Sequence, residues 1–69
     1  MEDKQAICSA LADLLKLTRW NQELERIEYQ QEKQGEYVYC MYKNGHCIRV
    51  DVTADSGIAI IKDVIKGVS

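Results

Sequence analysis

Proline is absent from these 69 residues, histidine occurs once, and the four glycines stand alone at positions 35, 45, 57 and 67. Each scarcity excludes something. Isolated glycines do not make a loop whose successive backbone amides cradle a phosphate. A structural zinc site needs four convergent ligands, and here the one histidine and three cysteines have no CxxC spacing, with Cys8 expected on the far side of the sheet from Cys40 and Cys47. No apolar stretch is long enough to span a bilayer. Nine basic side chains against eleven acidic ones leave a formal net charge of −2. Arg19, Arg26, Lys43, Arg49, Lys62 and Lys66 are scattered, which argues against a broad phosphate-binding surface. The chain begins Met1-Glu2-Asp3, acidic where a secretory signal would be basic, and no apolar signal core follows. The expectation is a cytoplasmic protein with no cofactor, no bound metal and no membrane association. Its length suits a single domain over residues 1–69, near the lower limit for a self-sufficient core.

What is present is led by Asn44-Gly45, which separates two alternating runs, Glu36 to Lys43 and His46 to Thr53. Asn-Gly suits a two-residue hairpin turn of type I′. That turn would pair Lys43 with His46, Met41 with Ile48, Tyr39 with Val50 and Tyr37 with Val52. These pairs share an almost wholly apolar face, expected to point into the core. Glu36, Val38, Cys40, Tyr42, Cys47, Arg49, Asp51 and Thr53 would then form the outer face. In this register Cys40 and Cys47 are diagonal neighbours, with Cβ atoms about 7 Å apart, against about 3.8 Å in a disulfide. Free thiols are expected.

Residues 3–18 read as an amphipathic helix capped by Asp3, with Glu2 beside it favouring the dipole. Its apolar face is Ile7, Ala10, Leu11, Leu14, Leu15 and Thr18, with Cys8 at the edge. Residues 20–35 have helical propensity, but as a helix they would offer only Trp20, Leu24 and Ile27 as anchors. As a strand, residues 25–30 alternate with Ile27 and Tyr29 inward, and a hairpin needs a third strand. A final helix follows Asp55 or Ser56 and runs to about Lys66, with Gly67 as its stop. Ile58, Ile60, Ile61, Val64, Ile65 and Val68 cover close to half its circumference, wider than a core-facing stripe requires, with Ile60 at the far edge. The fold class is therefore α+β: helix, three-stranded antiparallel meander, helix, with both helices on one face of the sheet. The alternative is two N-terminal helices, a β-hairpin and a C-terminal helix.

This element order resembles that of double-stranded-RNA-binding domains. Such domains hold phosphates with a basic cluster at the start of the second helix. Here residues 55–61 read Asp-Ser-Gly-Ile-Ala-Ile-Ile, acidic and apolar. The resemblance thus concerns topology, and fold alone does not carry function. His46 and Cys47 are adjacent, but neighbours on a strand point to opposite faces, so they do not make a nucleophile and its base. Asp51 and Asp55 are better read as strand-edge polarity and a helix cap than as an acid–base pair.

No enzyme is expected. Val38, Cys40, Tyr42 and Cys47 on the outer face, rimmed by Arg49, have the apolar centre and polar rim of a small interaction surface. Ile60 and the third strand, which lacks proline and lysine to block edge pairing, add to it. The sequence thus points to a protein-interaction or assembly module, self-associating or bound to another protein. Its alternative is an accessory protein associated with nucleic acid, a partner the charge balance makes unlikely.

Overall fold

The computed structural model describes residues 3–68. Its elements are α1 (Lys4–Leu15), β1 (Leu24–Glu32), β2 (Gly35–Tyr42), β3 (Cys47–Asp51) and α2 (Gly57–Val68). The strands form an antiparallel meander with β2 in the centre. Both helices bury side chains against the same sheet face, in one core that joins Cys8, Leu11, Ala12 and Leu15 to Leu24, Ile27, Val38, Cys40 and Val52, and to Ile60, Val64 and Val68.

Asp3 caps α1, its carboxylate accepting a hydrogen bond from the Ala6 amide at 2.9 Å. The suggested contribution of Glu2 lies outside the described residues. The helix stops at Leu15 rather than Thr18. The Thr18 hydroxyl donates to the Leu15 carbonyl at 2.6 Å and receives the Asn21 side-chain amide at 3.2 Å, and Asn21 in turn accepts the Tyr42 hydroxyl at 2.6 Å. Asn21 is buried, and this chain satisfies it while closing the helix end. The segment from Leu24 is a strand, as the need for a third strand predicts. An irregularity between Leu24 and Arg26 brings both Leu24 and Ile27 to the core although they are three residues apart.

The hairpin register differs from the sequence expectation by one residue. The Tyr42 amide donates to the His46 carbonyl at 2.8 Å and the Gly45 amide to the Tyr42 carbonyl at 3.0 Å, so the loop is Lys43-Asn44-Gly45. Gly45 has φ +89°, whereas Asn44 is not in the positive-φ region; its side chain instead accepts the His46 amide at 2.9 Å. This is the three-residue connection that ends in a left-handed glycine, not the two-residue type I′ turn. One extra loop residue turns one strand over. The pairs become Tyr37 with Asp51, Val38 with Val50, Tyr39 with Arg49, Cys40 with Ile48 and Met41 with Cys47.

In β3 the expected faces stand, with Ile48 and Val50 packed against the core. In β2 they are reversed. Val38 and Cys40 are fully buried, and Tyr37, Tyr39 and Met41 lie half-buried on the other side. The physical reason lies in side-chain size and polarity. Two short helices leave room for Val38 and Cys40 over the central strand, whereas a tyrosine buried there would have to find a partner for its hydroxyl. On the outer face the Tyr39 hydroxyl donates to Glu32 at 2.7 Å.

Glu36 likewise lies on the helical side rather than on an outer rim. Its carboxylate takes the Lys4 ammonium at 2.8 Å, the Tyr29 hydroxyl and the Ala54 amide at 2.9 Å, tying α1, β1 and the β3–α2 connection to β2. The hydrogen bonds from Lys4, Tyr29 and Ala54 hold its pKa down at about 2. At the far end α2 continues through Gly67 instead of stopping there. A Cβ on Gly67 would lie 2.9 Å from Val50 Cγ2, so glycine lets the last turn settle onto β3.

All three cysteines are free. Cys40 and Cys47 occupy opposite faces of the sheet, which rules out the diagonal relation inferred from sequence. Burial, with smaller contributions from Cys8 and Cys47, pushes the Cys40 thiol up to about 11, and burial also raises that of Cys8. Alkylation under native conditions should therefore modify Cys47 and spare Cys8 and Cys40, with all three labelled in denaturant. Labelling of Cys40 at the rate of Cys47 in the folded protein would contradict the assigned faces.

Candidate functional site

The residues expected from sequence to form a partner surface do not come together. Val38, Cys40 and Ile60 are wholly buried in the core. Tyr42 is half-buried, held by its hydroxyl to Asn21, with its ring 5.8 Å from that of His46. Burial raises its pKa. Only Cys47 and Arg49 remain exposed on the outer sheet face, and the Arg49 guanidinium lies 5.0 Å from the Tyr37 ring. That face is bordered by charge. Arg26 binds Glu28 at 2.7 Å, and Asp51 accepts the Thr53 hydroxyl at 2.7 Å. Hydrogen bonds from Thr53 lower the Asp51 pKa.

The apolar surface lies on the opposite side of the molecule, on the helices. In α1 the stripe facing the core is Cys8, Leu11, Ala12 and Leu15, at the i, i+3, i+4 and i+7 spacing of one helix face. Ile7, Ala10 and Leu14, assigned to that stripe from sequence, belong to its neighbouring flank, and Leu14 is 61% exposed. In α2 the inward positions are Gly57, Ile60, Val64 and Val68. The surplus of its wide apolar arc therefore falls at the edge opposite Ile60, where Ile58 is 63% exposed and Ile65 is 44% exposed.

The α1 flank faces α2 across Ile61. Ile7, Ala10, Leu11, Leu14 and Ile61 line an open apolar groove of about 270 Å³ between the helices. Beyond the end of α1, Leu17 and Trp20 add large exposed apolar side chains, with the Arg19 guanidinium 5.5 Å from the Trp20 ring. The lining contains no group able to act as acid, base or nucleophile. What the groove offers is apolar surface. The signal in the sequence was the excess width of the α2 arc; the edge that carries the excess depends on which residues meet the sheet.

The other concentration of polar groups is acidic. Asp55 is raised in pKa by a hydrogen bond with Asp63, by burial, and by the charges of Asp63, Asp51 and Glu36. Ser56, rather than Asp55, stands at the start of α2, its side-chain oxygen 3.4 Å from the Ala59 amide. Among the described residues no group of His, Cys, Asp and Glu is arranged to hold a metal ion, and no helix is long and apolar enough to cross a membrane. No family model matches the chain, and no curated protein or solved structure matches it.

Proposed function

We propose that this protein is a small interaction and assembly module, without catalytic activity of its own, that associates with a second copy of itself through its helical face. The observation that supports this reading is the apolar flank shared by the two helices. Leu14 is exposed on the wall of the groove, and Ile58 and Ile65 are exposed on the apolar arc of α2 that also carries the groove-lining Ile61, while the interior is already filled by residues such as Ile60 and Val64 at complete burial. Scattered exposed apolar residues are ordinary, whereas a contiguous patch on two neighbouring elements marks an interaction surface. A domain this small also gains stability by association. The open sheet face, by contrast, sets Glu28, Glu32 and Asp51 beside its tyrosines, an arrangement that disfavours phosphate and with it a nucleic-acid role. A reducing compartment such as the cytoplasm suits the exposed Cys47.

Sedimentation equilibrium of the purified chain tests the proposal. At micromolar concentration the mass should be about twice the 7.9 kDa of the chain and should fall on dilution. A mass of one chain throughout would overturn it.

A further inference from the structure

The two helices present unlike ridges to solvent, and from this we infer how a second copy is seated: the two-fold axis runs along the groove, so that α1 of each protomer lies on α2 of the other. The inference rests on the self-association proposed above. On α1 the residues turned away from the sheet are Ala6, Ala10 and Asp13, all exposed. On α2 they are Ile58, Lys62, Ile65 and Lys66, also all exposed. Leu14 rises beside the α1 ridge but lines the groove wall, so the α1 ridge itself is low and acidic and that of α2 is tall and basic.

A two-fold interface brings one surface against itself, so only the direction of the axis decides which ridge meets which. With the axis across the groove, α1 meets α1 and α2 meets α2. The basic ridge then lies against its own copy and the acidic ridge against its own, and the isoleucines of α2 crowd one another while the alanines of α1 stand apart. With the axis along the groove, Ile58 and Ile65 pass over the low ridge of Ala6 and Ala10, and Lys62 reaches toward Asp13 of the other protomer. Shape and charge select the same axis. Asp13 makes a loose ion pair with Lys16 at 3.8 Å, and its side chain is 83% exposed, so its carboxylate remains accessible. Complementary charge at such a contact chiefly fixes register and orientation.

Reversal of the charges tests the arrangement. Asp13→Lys brings like charges together at both symmetric contacts, as does Lys62→Asp. Each should weaken dimerisation by about tenfold in sedimentation equilibrium. The double variant carrying Asp13→Lys and Lys62→Asp restores both contacts and should return to within about twofold of the wild-type constant. Both positions are exposed, and thermal melts of each variant establish that folding is intact. Single variants that dimerise as well as wild type, or a double variant no stronger than the singles, would overturn the pairing while leaving self-association in place. A wild-type chain that stays monomeric would overturn both.

Discussion

Val38→Asp is expected to unfold the domain, whereas Tyr39→Asp, one residue further along β2, leaves it folded. Val38 has no exposed surface and lies among the apolar side chains of the core. A carboxylate there has no partner, and an uncompensated buried charge costs about 3–5 kcal/mol. A core of this size contributes about that much in total. Tyr39 is on the outer face, where aspartate loses the hydroxyl bond to Glu32 and some ring packing but stays in contact with water and close to Arg49. Thermal unfolding followed by circular dichroism separates the two variants directly. The opposite order of stabilities would restore the two-residue turn and its register.

A second large effect is expected at Ile60. Truncation to alanine removes a fully buried side chain from the packing of α2 on the sheet and should cost about 2–5 kcal/mol. Ile58→Ala, two residues earlier on the exposed flank, should change monomer stability by no more than about 0.5 kcal/mol. Urea denaturation at low protein concentration measures both without interference from association. Equal losses at the two sites would mean that α2 is turned differently on the sheet.

The particular residues show which parts of this fold are legible in a sequence. Helix, meander and helix follow from periodicity, from the Asp3 cap and from the requirement of a hairpin for a third strand, which outweighs the helical propensity of residues 20–35. The face of β2 was not legible. Val38 and Cys40 alternate with Tyr37, Tyr39 and Met41, so both faces of β2 are apolar enough to be buried. The loop decides between them, and Asn44-Gly45 serves a three-residue connection as well as a two-residue one. In α1 the same ambiguity arises between two adjoining stripes. Ile7, Ala10 and Leu14 carry more apolar surface, yet Cys8 and Ala12 are the residues small enough to let the helix lie close to the sheet. The larger side chains are left on the flank, and there they make the groove. The candidate surface was therefore legible as an excess of apolar residues on the last helix, but neither in its position nor in the share that α1 adds.

The central claim is that the helical side, and not the open sheet, carries the association. Sedimentation equilibrium of Leu14→Glu beside Met41→Glu tests it most directly, since Leu14 is 61% exposed on the groove flank and Met41 is half-buried on the outer sheet face. Leu14→Glu should sediment as a single chain of 7.9 kDa, while Met41→Glu should keep about twice that mass. A Leu14→Glu variant that remains dimeric, or a Met41→Glu variant that dissociates, would contradict the account.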